Sequence, residues 1–485
     1  MGATDSRLSP SFTWVMIHAQ LPITKQPTNP LELFTFIKRL IGALRPAATA
    51  APVPVAPGPR IYSRSEHSIS RTLISDHALK VLYRLRKAGY QAYLVGGCVR
   101  DLLLGREPKD FDVVTDAHPE EIKAVFRNCR LIGRRFRLAH VHFGEEIIEV
   151  ATFRALTREP HDEHVTEGGR ILRDNVYGTI EEDAFRRDFT VNALYYNISD
   201  FSVIDYVGGM DDHRKASLRL IGDPEQRYRE DPVRMLRAIR FAVKLGFTLH
   251  PSCAEPIHRL AELLRDIPAA RLYDEIVKLF LGGYAVQTFE QLRHFRLFGS
   301  LFPETESCLA RESGGFPLIF VAKALERTDQ RVQEDKAVAP YFLFSALLWE
   351  PVRSRAEARI AQGENAVVAY QEAASEVISR QARHTAFPKT IGIPMREIWV
   401  LQSRFDKTQG GRPFRLLSHP RFRAAYDFLV LRAETGEAEP ELAEWWTRFQ
   451  SADEAEQKAM TRTGRKPGGK SRPRKRRKRP PVATA

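Results

Sequence analysis

Cysteine is scarce: Cys98, Cys129, Cys253 and Cys308 are the only four in 485 residues, far apart and without a CxxC pair. No histidine cluster at zinc spacing accompanies them, so no zinc site is expected, and the sparse thiols fit a reduced, cytoplasmic protein. Long apolar runs are lacking as well. The best, near Tyr341 to Trp349, falls far short of the roughly 20 residues a membrane-spanning helix needs. The N-terminal stretch has Arg7, Ser9, Pro10 and Ser11 before a short apolar patch. It has no basic region running into an apolar one, so no secretory leader is expected. There is no internal repeat at a fixed period.

What is present is the composition of a soluble globular protein, 43% hydrophobic and 28% charged, with length for two to four domains. The net charge of +14 is unevenly spread. Ten cationic residues and no acidic one lie between Arg465 and Arg479, so the rest of the chain is only mildly basic.

Residues 1–60 read as a leader. Phe34 to Leu44 has the pattern of a short amphipathic helix, and Pro46 to Pro59 (PAATAAPVPVAPGP) is a Pro/Ala linker that cannot build a core. From Ile61 the periodicities alternate. His77 to Ala88 is helical, Gln91 to Val95 a strand ending at Gly96-Gly97, Val99 to Leu104 a helix, Phe111 to Val114 a strand, and Pro119 to Asn128 a helix with proline in its first turn. Arg137 to Phe143 and Glu146 to Phe153 form a hairpin about Gly144. This alternation predicts an α/β domain over 61–210. From Pro224 to about Gln450 the pattern is almost wholly helical, and from Ala452 onward the composition is that of a disordered segment. The expected fold class is α+β: an α/β head (61–210), a helical neck (211–275), an elongated all-α body (276–450) and a basic tail (451–485).

Four short blocks carry the chemistry. In KDFDVV, Asp110 and Asp112 are two apart in a predicted strand, so both carboxylates leave the same face. Like charges so close are costly unless a cation neutralises them, and a pair of magnesium ions bridging nucleotide phosphates is the usual answer. Alone, such a triplet is common on surfaces. Upstream, in LVGGCVRDLLLG (94–105), Gly96 and Gly97 strip side chains where a strand turns into a helix, which exposes backbone N–H groups to an anion, with Arg100 as a fixed charge nearby. Glu149 in IIEVATF shares its strand face with Ile147, Ala151 and Phe153. Two readings stand for it: a third metal-site carboxylate, or a salt bridge to Arg135 or Arg137. In RRDFTVNALYYN (186–197), a helix would put Asp188 and Asn192 on one face beside Arg187. In REDPVRMLRAIRFAVKLGF (229–247), Asp231 and Arg234 would form one polar helix face with Arg237 above. A carboxylate beside a guanidinium matches the N6-H/N1 edge of adenine and the N4-H/N3 edge of cytosine, and mismatches guanine and uracil. The plain alternative is an intrahelical salt bridge.

LVGGCVRDLLLG, KDFDVVTDA, RRDFTVNALYYN and REDPVRMLRAIRF, in this order over about residues 61–250, closely resemble the class II tRNA nucleotidyltransferase and bacterial poly(A) polymerase family. The resemblance implies a polymerase-β-like head with Asp110 and Asp112 holding two magnesium ions, and Gly96, Gly97 and Arg100 on the triphosphate of ATP. It implies that Asp231 and Arg234 template the base, and that Arg187 and Asp188 lie at the active site, with Asn192 and Arg237 placed beside the nucleotide. Within the family, LIGRRFRLAHVHFGEEIIEVATFR (131–154), IPMREIWVLQSRF (393–405) and HPRFRAAYDFLVLRAETGE (419–437) look like the poly(A) polymerase branch. That branch implies transfer of AMP to RNA 3′ ends, RNA as partner and RNA-degradation proteins beside it. The tail cations Arg472, Arg474, Lys475, Arg476, Arg477, Lys478 and Arg479 fit sequence-blind attraction to RNA phosphates. Two rivals are CCA addition, which the A/C-compatible template permits, and an inactive RNA-binding protein, against which the intact carboxylates argue. His161-Asp162 does not make an HD phosphohydrolase, since it lies in a polar loop without further histidines at helical spacing.

Overall fold

In the computed structural model of the chain, the described residues run from 58 to 462, without 134–136, 156–164, 167–169, 172–175, 314–315 and 318. The helix expected at Phe34 to Leu44, His161-Asp162, Arg135 and the cations Arg465 to Arg479 lie outside the described residues.

An eight-stranded mixed sheet organises the head. In chain order its strands are β1 (Arg60–Tyr62), β2 (Ala92–Val95), β3 (Asp112–Thr115), β4 (Cys129–Ile132), β5 (Leu138–Phe143) and β6 (Glu146–Thr152). The two-residue strands β7 (Val165–Thr166) and β8 (Arg170–Ile171) pair only with each other, and β9 (Leu194–Asn197) and β10 (Val203–Asp205) complete the sheet. The strand order is β1-β10-β9-β2-β3-β6-β5-β4. Strict alternation gives the sheet two covered faces. Leu94, Val113, Ile148 and Tyr196 pack on one side with Leu82 and Leu85 of helix α1 (Asp76–Lys87). Val95, Val114, Phe153 and Tyr195 pack on the other. Helix α1 starts where the Ser75 hydroxyl accepts from the His77 amide, with Asp76 in its first turn and Arg84, Arg86 and Lys87 in its last, as the helix dipole favours. The expected hairpin is present as β5 and β6, paired antiparallel around a turn at Gly144, whose φ is 64°.

Beyond α2 (Gly97–Leu103), α3 (Pro119–Val125), α4 (Ile180–Arg186) and α5 (Gly209–Arg214), the chain becomes helical. The neck opens with α6 (Pro224–Glu230) and α7 (Val233–Leu245). Pro232 disfavours a helical conformation for the residue before it. Asp231 is accordingly extended, with φ −150° and ψ 93°, and separates the two helices. Helix α7 buries Met235, Leu236 and Ile239 and ends at Gly246, whose φ is 72°. Its buried stripe joins a core that continues through α8 (Pro251–Leu260) and α9 (Ala269–Phe280) into the body, where Trp349, Trp399 and Phe428 are fully buried. A third core around Phe405, Phe422, Trp446 and Phe449 closes the body. The buried indole N–H groups are bonded, Trp399 to the Ser345 carbonyl at 3.0 Å and Trp446 to the Phe405 carbonyl at 2.9 Å. The helical region extends past the expected limit. Glu454–Met460 is a helix capped by Asp453, whose carboxylate accepts from the Glu456 amide, so the disordered segment expected from Ala452 is corrected there. No helix among the described residues is long and apolar enough to cross a membrane.

Candidate active site

The Gly96-Gly97 turn sits at the centre. Gly96 has φ 81° and ψ −135°, a conformation only glycine adopts without strain, and it links β2 directly to α2. A side chain at Gly96 would put its Cβ 3.5 Å from Asp112 Oδ2 and 3.6 Å from Arg187 Nη1. The bare turn therefore lies against both groups.

Asp112 begins β3, but Asp110 precedes the strand in a bend, with Phe111 between them buried. The strand is thus shorter than expected and leaves Asp110 outside it, while the Asp110 charge still acts on Asp112. β3 and β6 run parallel with Asp112 and Glu149 in register, which brings two carboxylates from neighbouring strands onto one face. Ala151 and Phe153 do share that face with Glu149, as predicted, while Ile147 at its outer end is 41% exposed. Of the two salt-bridge partners expected for Glu149, Arg135 lies outside the described residues and Arg137 is engaged elsewhere. Arg137 pairs with Glu120, and Glu149 meets His140 across the antiparallel ladder at 3.3 Å. Burial pushes the Asp112 carboxyl up to about 6; Glu149 and Asp110 add to the rise, and Arg187 opposes it. Among the described residues no three His, Cys, Asp or Glu side chains converge closely enough to hold a metal ion by themselves.

The block 186–197 is not a helix. Helix α4, capped by Thr179 and Glu182, ends at Arg186; Arg187 and Phe189 are extended, Thr190–Asn192 is one 3-10 turn, and Leu194 starts β9. The physical reason is burial on both faces. Phe189, Val191, Leu194, Tyr195 and Tyr196 are all at most 1% exposed, more than an amphipathic helix buries. The contact expected from helical spacing survives by another route. Asp188 Oδ1 accepts from Asn192 Nδ2 at 3.2 Å and from the Phe189 amide at 2.8 Å. Asp188 Oδ2 takes the Arg237 fork. Burial alone would raise the Asp188 carboxyl, but Arg237 and these hydrogen bonds hold it below the usual range. Arg100 is buried and donates from Nη1 to Asn192 Oδ1 at 2.7 Å and from Nε to Asp101 at 2.9 Å. Arg100, Asn192, Asp188 and Arg237 therefore form one continuous hydrogen-bonded chain between head and neck.

Asp231 and Arg234 do not pair with each other. Asp231 Oδ1 accepts from the Val233 amide at 3.3 Å and Oδ2 from Arg271 at 2.7 Å; Arg234 bonds Glu230 at 3.0 Å and the Arg227 carbonyl at 2.7 Å. The break at Pro232 replaces the continuous helix that would have brought them together.

Four further residues escaped the sequence reading. Asp183 receives Arg187 at 2.9 Å and the Tyr195 hydroxyl at 2.9 Å, and its signal was the i,i+4 spacing in DAFRR. Arg271 lies 40 residues from Asp231 and carried no local signal. Arg227 donates to the carbonyls of Arg186 and Arg187. Arg240 stacks on Phe241 at 4.5 Å, with Arg100 and Arg237 over the same ring, and its Nε has no hydrogen-bond partner.

A turn closed on two in-register carboxylates, ringed by guanidinium groups, suits a polyanionic nucleotide. Comparison with known proteins decides which kind. Residues 92–219 match the family model described as poly A polymerase head domain. Residues 246–309 match the probable RNA and SrmB-binding site of polymerase A, and 362–480 the polymerase A arginine-rich C-terminus. Poly(A) polymerase I of Salmonella typhi is 51% identical over 82% of this chain and 88% of its own. The chain belongs to the bacterial poly(A) polymerase I family. It is a polynucleotide adenylyltransferase, joining AMP from ATP to RNA, on a polymerase-β-like nucleotidyltransferase head followed by a helical body. CCA-adding enzymes are more distant relatives of this chain. That of Lactobacillus helveticus is 38% identical over 44% of this chain and 52% of its own length. The Thermotoga maritima CCA-adding enzyme, solved in complex with tRNA, shares the fold with a TM-score of 0.55 at 18% identity, over 81% of this chain and 86% of that one.

Proposed function

We propose that Asp110 and Asp112, with Glu149 beside them, hold two magnesium ions, and that the Gly96-Gly97 turn receives the triphosphate of ATP. The observation that carries this is the in-register placement of Asp112 and Glu149 beneath a turn without side chains, with the Asp112 carboxyl pushed up to about 6 by burial and like charge. A cation relieves that cost, and magnesium needs only one or two carboxylates when substrate phosphates and water complete its shell. Bound there, magnesium supplies charge neutralisation at the phosphates and activation of the RNA 3′-hydroxyl. The hydroxyl oxygen forms its bond to the α-phosphorus and gives up its proton; the bond from that phosphorus to the β-bridging oxygen breaks, and pyrophosphate leaves.

The remaining residues position the reactants. Arg187, fixed by Asp183 and Tyr195, presents Nη1 towards the turn as a phosphate donor. Arg100 and Asn192, through Asp188, hold Arg237 against the neck. Asp231 and Arg234 read the adenine edge, Asp231 accepting from N6 and Arg234 donating to N1. The head at 61–210, neck at 211–275 and body at 276–450 serve as catalytic, templating and RNA-holding parts. The tail from 451, with Arg472, Arg474, Lys475, Arg476, Arg477, Lys478 and Arg479, draws in RNA, and RNA-degradation proteins are further partners. The setting is mRNA processing and RNA turnover in the cytoplasm, for which four free cysteines are suited.

The test is Asp112→Ala, and separately Asp110→Ala, incubated with an oligo-RNA, magnesium and each nucleotide in turn. Extension should be abolished in both while RNA binding persists. Tailing by either variant would remove the metal assignment.

A further inference from the structure

The segment joining helix Lys389–Gln402 to helix Arg412–Leu417 is anchored from below. Phe405, Pro413 and Leu416 are buried, the Phe405 carbonyl accepts from the Trp446 indole at 2.9 Å, and the Gly410 amide donates to the Thr461 carbonyl at 3.0 Å. With its apolar residues turned inward, the segment presents its charged ones outward. Arg404, Lys407, Arg412, Arg415 and His419 line one concavity of about 300 Å³ floored by Leu416, and no acidic residue lines it. The one nearby acid in the segment, Asp406, is not part of the lining.

Nothing among the described residues answers these four cations, whose side chains make no ion pair or hydrogen bond there. Pairing is available to other arginines on neighbouring elements. Arg421 bonds Glu397 at 3.2 Å, Arg380 bonds Glu376 at 2.6 Å and Arg423 bonds Asp427 at 3.1 Å. Four like charges converging on one recess repel one another, and an anion removes that repulsion. Lysine and arginine are donors without acceptors, so such a wall suits phosphate oxygens, which every nucleotide of a strand presents alike. No phenylalanine, tyrosine or tryptophan lines the recess; its one ring is the His419 imidazole.

We propose that this recess is a phosphate-binding site for the RNA strand, built from the folded C-terminal region and sharing no residue with the catalytic head or neck. The proposal rests on RNA being the substrate and adds a second, sequence-blind place where the strand is held. None of its residues belongs to the metal, triphosphate or base site, so it acts on RNA capture and not on turnover.

The experiment compares the full chain with its Arg412→Ser/Arg415→Ser variant, two exposed positions whose side chains hold nothing else. Affinity for oligo(A), oligo(U) and oligo(C) is measured over a range of salt concentrations. Losing two phosphate contacts should make the slope of log K against log salt shallower by roughly 1.4 and weaken binding roughly ten- to thirty-fold near 0.1 M salt, equally for the three RNAs. The rate at saturating RNA should be unchanged, and Arg412→Lys/Arg415→Lys should retain most of the slope. An unchanged slope, or a loss confined to one homopolymer, would overturn the site. Loss of poly-glutamate binding with RNA binding intact would also overturn it, and make the recess a dock for an acidic protein. If the parent protein itself bound RNA independently of salt, charge-driven capture would fail as a whole, whatever the state of its adenylation activity.

Discussion

Asp112 occupies surroundings that oppose its charge, and this has a measurable sign. Burial, then Glu149, raises its carboxyl to about 6, with Asp110 adding and Arg187 only partly offsetting. An acid with a raised pKa holds its proton more tightly folded than unfolded, where it titrates near ~4. Below about pH 4 both states are protonated and nothing is lost. Between about 4 and 6 the unfolded chain ionises first and the folded state loses stability; above that the cost is constant. Asp112→Asn should therefore raise the denaturation midpoint of the metal-free enzyme at pH 8, leave it nearly unchanged at pH 4, and eliminate tailing. An equal shift at both pH values would mean that charge is not what Asp112 contributes to the folding free energy. Base choice belongs to the same scale. Arg234→Ala removes the donor to adenine N1 and should narrow selectivity over GTP and UTP by about 1–3 kcal/mol. Arg271→Ala keeps that donor but frees Asp231, which Arg271 holds at 2.7 Å, so a smaller loss of selectivity with a higher KM for ATP is expected. Single-nucleotide kinetics decide this: unchanged selectivity in both variants would place base reading outside this pair.

The elements that were legible in the sequence are those whose local chemistry and burial agree. The strand ending at Gly96-Gly97 was readable because a tight turn into a helix needs a residue without a side chain, and the hairpin about Gly144 because its arms alternate. The segment 186–197 was misread because its apolar spacing satisfies a helix, while two layers of packing, around Val191 and around Tyr195, require extended chain. The break at Asp231 had its signal in Pro232, which disfavours a helical residue before it and suits the start of the helix that follows. The Asp231–Arg271 pair had none, because partners 40 residues apart meet only once the neck is folded. The Gly-Gly turn can be tested as a unit. Gly96→Ala places a side chain at φ 81°, costing about 1–3 kcal/mol of backbone strain, and the new Cβ meets only ordinary contacts. Gly97→Ala lies in the helix at negative φ, 3.5 Å from Arg100 Nη2, and carries no such strain. Thermal denaturation should show the cost in Gly96→Ala alone, with a loss of tailing larger than the loss of stability because the turn abuts Asp112 and Arg187. Matching destabilisation by both substitutions would remove the backbone argument.

Across the whole chain the decisive property is where the charge sits. Ten of its cations fall between Arg465 and Arg479 with no acid among them, a composition that cannot bury a core and that suits attraction to RNA phosphates. The family model for the arginine-rich C-terminus runs from 362 to 480, so it joins this run to the folded region that carries Arg404, Lys407, Arg412 and Arg415. If about five tail charges engage single-stranded RNA, they contribute about −3.5 to the slope of log K against log salt, and a fourfold rise in salt weakens binding on the order of 100-fold. Truncation after Gly464 should flatten the slope by that amount and lower affinity for generic RNA most at low salt. Turnover at saturating RNA should stay nearly intact, because the residues proposed for the metal, triphosphate and base sites all lie between Gly96 and Arg237. A residual salt dependence is expected in the truncated enzyme from the folded cations, and this separates the tail from the recess. Binding titrations of full-length and truncated enzyme at several salt concentrations measure both parts. Equal slopes for the two would show that the tail does not touch RNA, and docking to a partner protein would then account for its charge.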